Sequence, residues 1–232
     1  MMRSWEARGD TAVVDEPLYA AYLRSTGLDH PGASEIMAHD ETDVAAVSAR
    51  LVSPGADAPA IVYQKHMAHH LLPGMERDWV DRLRNGLLIR EPREMLTSLL
   101  KVLPNADLAA TGLPFQADLF ARSDSSLPVV DSRDVLENPP GMLAAMCRAF
   151  GVPYTDRMLS WAPGPRATDG VWAKYWYASV EASTGFAPYA PKNAEVPRRK
   201  LALLRECETI YDALAGHKLA ADTERGPRAS EE

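Results

Sequence analysis

Short apolar runs alternate along the chain with stretches of helical periodicity, and each run ends in a charge or a turn residue. Four runs read as strands: Ala12 to Glu16, Ala60 to Tyr63, Leu87 to Arg90, and Pro128 to Asp131. The third is read as a short buried strand, with Leu87, Leu88 and Ile89 inside. The spacing between the runs leaves room for a crossover helix each time, which is the signature of a mainly parallel sheet with helices on both faces. The expected fold is therefore a three-layer α/β/α domain.

Helical patterns fill the gaps. Met1 to Trp5 reads as a helix leading into the first strand, and Pro17 to Arg24 as one opened by proline. Thr42 to Leu51 and Glu94 to Val102 follow. Pro139 to Phe150 carries Met142, Leu143, Met146 and Phe150 on one stripe and closes at Gly151 as a C-cap. Val196 to Leu214 forms a last amphipathic helix, and Gly27 to Asp40 and Pro104 to Leu127 read as variable loops. Residues 1–218 make one domain, and the polar, aperiodic 219–232 is expected to be a disordered tail.

At 232 residues, 46% apolar and 25% charged, the chain supports one substantial core. A net charge of −7 argues against a nucleic-acid partner, because phosphate-backbone binding needs a basic face. The only basic triplet, Arg198-Arg199-Lys200, reads as the start of a solvated helix. The two cysteines, Cys147 and Cys207, lack the spacing of a zinc site or a disulfide framework, which points to a reducing cytoplasm. No apolar run of about 18 residues and no leader pattern is present, so neither a membrane span nor a signal peptide is expected.

Four places at strand ends carry candidate chemistry. Arg90 ends the third strand, Glu91-Pro92 turns the chain, and Ser98 lies on the helix that follows. A strand's carboxyl edge running into a helix N-terminus is where α/β proteins hold phosphate, so Arg90 and Ser98 form a candidate anion clamp. An ordinary strand-end salt bridge is the alternative for Arg90. Glu16, in Asp15-Glu16-Pro17, is a candidate general base or simply an acid favoured by a helix dipole.

After the second strand, Lys65 is suited to offset charge on a bridging oxygen, and His66 or His69 to accept a hydroxyl proton. His66 and His70 stand at i, i+4, but no HExxH-type glutamate accompanies them, so no metal site is assigned. The Pro/Gly-rich segment from Trp161 to Trp176 holds three of the five tryptophans together with Arg166 and Lys174. Aromatic faces beside cations suit a purine and its phosphate, and a loop that clamps the core is the plainer alternative.

These segments resemble the cytosolic sulfotransferase superfamily, which has a P-loop NTPase-like fold, and more closely a bacterial sulfotransferase-like family also found joined to branched-chain aminotransferase-like proteins. The stretches carrying the resemblance are WEARGDTAVVDEPLYAAYL, QKHMAHHLLP, LLIREPREMLTS, PVVDSRDVLENP and MLSWAPGPRATDGVWAKYWYASVEASTGF. It implies transfer of a sulfuryl group from 3′-phosphoadenosine-5′-phosphosulfate to a hydroxyl or amine of a small acceptor, without metal. Arg90 and Ser98 match the pair that binds the donor's 3′-phosphate. Arg166, Gly170, Trp172 and Lys174 resemble the loop that closes over it.

The family's first strand and phosphosulfate loop have no counterpart after Met1, so the fold is expected to be N-terminally truncated, with Met1 an internal methionine. Lys65-His66 departs from the family's Lys-x-His, and Glu16 ranks ahead of His66 or His69 as base. A non-catalytic nucleotide-binding or assembly remnant is the rival reading. A small-molecule kinase, with Asp131 as metal ligand, is the third.

Overall fold

A computed structural model describes residues 1–124, 126–191 and 195–221. The four expected strands form as β1 (Thr11–Asp15), β2 (Ile61–Lys65), β3 (Leu87–Ile89) and β4 (Val129–Asp131). β1 pairs in parallel with β2, placing Val13 opposite Tyr63 and Asp15 opposite Lys65. β3 pairs in parallel with β4, Ile89 opposite Asp131. Among the described residues no ladder joins the two pairs, so the single sheet is replaced by two parallel ribbons.

Side chains link the ribbons where backbone bonds do not. Trp5 stacks on Tyr63 of β2 at 5.1 Å and meets Phe150 edge-on at 6.1 Å. Phe150 in turn lies against Gly86, just before β3, where an added Cβ would sit 2.7 Å from the ring. Glycine is therefore required at 86 by the approach of an aromatic edge to the backbone.

The helices are α1 (Met2–Glu6), α2 (Tyr19–Thr26), α3 (Ala33–His39), α4 (Val44–Leu51), α5 (Pro92–Val102), α6 (Leu113–Arg122), α7 (Ser132–Glu137), α8 (Pro139–Ala149), α9 (Ala173–Trp176), α10 (Ala178–Glu181) and α11 (Leu201–Ala215). Strand alternation sorts them onto two faces. Val13 and Val130 point into one cluster with Met2 and Trp5 of α1, Tyr19 and Leu23 of α2, and Met142 and Leu143 of α8. The next residue, Val14, packs with Leu18, Val47, Leu51 and Trp79. Val129 joins Leu87, Ile89, Phe120 and Leu214 of α11. Apolar residues on both sides of every ribbon make a three-layer α/β/α arrangement.

Several boundaries move for identifiable reasons. Glu16 leaves the first strand at φ 39, in the left-handed region, although its N–H still donates to the Lys65 carbonyl at 2.8 Å. α2 starts at Tyr19 and ends where Gly27, at φ 65, donates to Leu23 O. α5 begins two residues early because Pro92 fills its first turn. α8 closes as the spacing predicts, with Gly151 at φ 66 and Val152 N–H donating to Cys147 O. α11 starts at Leu201, after a tight turn over Arg198–Lys200 that follows Pro197.

α3 and α6 occupy stretches expected as loops. α6 opens at Gly112 and Pro114 and buries only Leu113 and Phe120, so its apolar stripe is thin. Leu88 is 46% exposed, so β3 is covered on one face only and is not the fully buried strand expected. At the carboxyl end, Leu219 N–H donates to Val129 O at 2.8 Å, so the packed chain continues past residue 218. Residues 222–232 of the expected tail lie outside the described residues.

Candidate functional site

The register of β1 and β2 puts Asp15 beside Lys65 at the carboxyl edge of the ribbon, on the face of the largest cluster. Lys65 Nζ lies 3.1 Å from Asp15 Oδ1, 2.5 Å from Glu16 Oε1 and 2.7 Å from Tyr177 Oη. Those three acceptors use all three ammonium protons. The Tyr177 hydroxyl donates to Asp15, with its oxygen 2.6 and 2.8 Å from the two carboxylate oxygens.

The side chains are 1% (Asp15), 12% (Glu16) and 29% (Lys65) exposed, so the low-dielectric end of the cluster belongs to Asp15. Burial raises the Glu16 carboxyl above its ordinary value against the pull of Lys65. Burial alone would lower Lys65, but Glu16 and Asp15 outweigh it and hold the ammonium charged. Glu16 also occupies a left-handed backbone conformation that a non-glycine residue adopts at a cost of roughly 1–3 kcal/mol, so the fold holds it in place against strain.

The histidines cluster beside this network. His66 Nε2 lies 3.1 Å from Gln64 Oε1, and His69 meets Tyr22 edge-on at 5.3 Å. His70 stacks on Tyr19 at 4.9 Å, and the Tyr19 hydroxyl reaches His30 Nδ1 at 2.9 Å. Burial lowers His66 and His69 to about 4 and pushes His70 well down. Neutral imidazoles of such low basicity are weak proton acceptors compared with Glu16. Among the described residues no three His, Cys, Asp or Glu side chains converge to hold a metal ion.

The second ribbon treats its charges differently. Arg90 NH2 stands 3.4 Å from Glu94 Oε2, one turn along α5, and the Arg90 side chain is 35% exposed. Glu94 also accepts the Tyr189 hydroxyl at 2.8 Å. The first amides of α5 are capped by Glu91, whose carboxylate accepts from Arg93 N–H at 3.0 Å and Glu94 N–H at 2.8 Å. Ser98 lies half-buried further along the same helix. Asp131 caps α7 through Arg133 N–H and accepts the Tyr211 hydroxyl, which makes it a structural carboxylate rather than a free metal ligand.

The aromatic segment divides between core and surface. Trp172 is 3% exposed and meets Tyr19 edge-on at 5.3 Å. Gly170 lies directly against the Trp172 ring. Arg166 pairs with Glu6 at 3.5 Å and donates to the carbonyls of Ala162 and Gly164. Lys174 pairs with Glu35 of α3 at 2.6 Å on the surface. Asp169 is held by the buried Arg3 of α1 through two 2.7 Å bonds.

This segment's cations therefore face other helices, and the residue that reaches the strand edge is Tyr177, one position past its end. That residue was not singled out from the sequence. A cavity of about 310 Å³ lined by Arg8, Asp10, Tyr154 and Arg157 lies at the amino end of β1, away from the carboxyl edges where α/β sheets place ligands.

The family described as sulfotransferase domain matches residues 1–217. Branched-chain-amino-acid aminotransferase-like protein 1 of Arabidopsis thaliana is 32% identical over 220 residues, covering 94% of this chain and 39% of that protein. Branched-chain-amino-acid aminotransferase-like protein 2 of the same plant is 29% identical over the same lengths. The chain thus spans about two fifths of these relatives. Among solved structures, the sulfotransferase domain from the curacin biosynthetic pathway is 16% identical with a TM-score of 0.44, over 85% of this chain and 78% of that one. The sulfotransferase domain from the Synechococcus PCC 7002 olefin synthase is 12% identical with a TM-score of 0.36, over 84% and 93%.

Proposed function

The chain belongs to the sulfotransferase domain family, and from that membership we propose that it moves a sulfuryl group from 3′-phosphoadenosine-5′-phosphosulfate to a hydroxyl or amine of a small acceptor. The observation that carries the reading is the Glu16–Lys65 pair at the carboxyl edge of β1 and β2: a carboxylate made more basic by burial, 2.5 Å from an ammonium whose basicity its two carboxylate neighbours raise.

The donor supplies an activated sulfuryl group whose leaving group is a phosphate. As the acceptor's oxygen or nitrogen bonds to sulfur, the bond from sulfur to the phosphate oxygen breaks and the acceptor's proton passes to Glu16. Protonation cancels the Glu16 charge. The Lys65 ammonium, until then balanced by two carboxylates, then faces the leaving phosphate with one opponent fewer. Proton transfer and stabilisation of the leaving group are coupled through a single side-chain pair.

Arg90 and Ser98 are assigned to the donor's 3′-phosphate. Arg90 suits this role because its contact with Glu94 is long and its side chain remains partly open, so a dianion can displace a single carboxylate. The non-catalytic alternative draws on Glu91, which already satisfies the first amides of α5.

Calorimetry with adenosine 3′,5′-bisphosphate separates these readings. Arg90→Ala weakens binding by about 2 kcal/mol, roughly thirtyfold, if the guanidinium grips the 3′-phosphate. Equal affinity in both proteins removes Arg90 from the donor site. No binding to the unaltered chain, together with no transfer of labelled sulfuryl from the phosphosulfate donor to phenolic, alcoholic or amine acceptors, favours the assembly role.

A further inference from the structure

We propose that Tyr177 is a positioning residue that satisfies Asp15 with its hydroxyl, leaves Lys65 closest to Glu16, and so keeps Glu16 ionised for the acceptor's proton. The proposal rests on the reading of Glu16 as base and deepens it. Two carboxylates compete for one ammonium at this edge, and without a third group nothing decides which of them is the working acid–base. Tyr177 decides it. Its hydroxyl donates across both Asp15 oxygens, at 2.6 and 2.8 Å, while its oxygen accepts from Lys65 at 2.7 Å.

Asp15 is thus closed off by a phenol and an ammonium in a site where it is 7% exposed as a residue. Glu16 receives one Lys65 bond on Oε1, and its Oε2 accepts no hydrogen bond from any described residue. The phenol is well anchored for this task. Tyr177 is 7% exposed, its ring belongs to the largest apolar cluster, and Lys65 Nζ stands 5.1 Å from the ring centroid. Its backbone links α9 to α10, with its N–H donating to Ala173 O at 2.7 Å and its carbonyl accepting from Glu181 N–H at 2.8 Å. The chain just past the aromatic segment therefore serves the strand edge through one hydroxyl.

The charged and titratable groups facing Glu16 and its partner come from every neighbouring element. They are Asp15 of β1, Lys65 and Tyr63 of β2, Tyr19 of α2 and Tyr177 itself, with His70 and the Met1 amino group sensing Lys65. None besides Tyr177 bridges Asp15 to Lys65 by hydrogen bonds.

Tyr177→Phe keeps the ring in the core and deletes only the hydroxyl. Asp15, relieved of its donor, then draws Lys65 away from Glu16, and Glu16 becomes harder to ionise. The titration of Glu16, followed by carbon-13 NMR of labelled glutamate carboxyls and assigned by the resonance lost in Glu16→Gln, moves upward by about one pH unit. In parallel, the acidic limb of the kcat–pH profile moves up by the same amount. On the acidic limb, well below the Glu16 titration, kcat falls by about tenfold, while KM for the donor stays within about twofold.

An unchanged Glu16 titration in Tyr177→Phe overturns the proposal, whatever happens to the melting temperature, since a purely structural tyrosine would change only the latter. A shifted titration in a chain that transfers no sulfuryl group to any acceptor upholds the positioning role and refutes the sulfotransferase reading instead.

Discussion

The two parallel ribbons end in the same kind of residue and use it in opposite ways. In β1–β2, Asp15 and Lys65 are cross-strand partners, and their charges meet in a cluster joined by a tyrosine 112 positions away. In β3–β4, the charges at the strand ends turn onto the helices that follow or pack against them. Arg90 leans on Glu94 of α5, while Asp131 caps α7 and takes the Tyr211 hydroxyl of α11. A strand-end charge fully taken up by neighbouring helices, as Asp131 is, stabilises the fold, and the loosely paired Arg90 stays open to an anion but does not change its own protonation. A charge held between strands by a network that can change its protonation is available for chemistry.

The largest expected effect exploits that contrast. Glu16→Gln lowers kcat by about 10²–10⁴-fold, the usual span for removing a general base. It leaves the protein at least as stable at neutral pH. The folded Glu16 carboxyl binds its proton more tightly than the unfolded one, so its ionisation works against folding as pH rises through the folded value. A neutral glutamine removes that opposition. Steady-state kinetics and thermal melts at pH 7 check both halves, and a variant that loses stability and activity together would make Glu16 a structural acid like Asp131.

The reciprocal variant comes next. Asp131→Ala removes the α7 cap and strands the Tyr211 hydroxyl, at a cost of about 2–3 kcal/mol in chemical denaturation. Turnover per folded molecule is retained, because Asp131 lies outside the proposed proton path. A loss of turnover with full stability would move Asp131 into the site and revive phosphoryl-transfer chemistry.

Much of this contrast was open to a reading of the residues, and the unreadable parts have physical causes. The four strands announce themselves through short apolar runs, and Pro92 and Gly151 mark helix ends because their backbone chemistry admits little else. Lys65 and Glu16 stood out because each follows an apolar run at a strand's carboxyl edge. Tyr177 did not, since its partners are distant in sequence and a tyrosine in an aromatic stretch looks like core.

The split into two ribbons is equally hidden, because strand partners are chosen by tertiary packing, here by the Trp5 and Phe150 rings. Leu88 reads as buried beside Leu87 and Ile89, yet only the neighbours above and below a strand decide whether alternate residues are covered. Arg166 and Lys174 matched an expected loop in type, but Glu6 and Glu35 claim their charges.

The smallest expected effect again separates the ribbons, this time by acid. His30, His66, His69 and His70 are neutral in the folded protein because burial lowers them, His66 and His69 to about 4. Unfolded histidines bind protons below about 6.5. Between that value and 4 the unfolded chain therefore holds more protons than the folded one, and stability falls as pH drops. Glu16 runs the other way and recovers a part as it protonates. Four histidines outweigh one carboxylate, so the net change is a loss.

His30, His69 and His70 pack against α2, and His66 meets Trp79 beside the end of β2, which confines the loss to one side of the molecule. Amide exchange at pH 5 relative to pH 7, corrected for intrinsic rates, loses protection around β2 and His66–His70 before it does around β3, β4 and α11. Equal loss on both sides would mean that the ribbons unfold as one unit, with the Trp5–Phe150 bridge coupling them as firmly as a continuous ladder would.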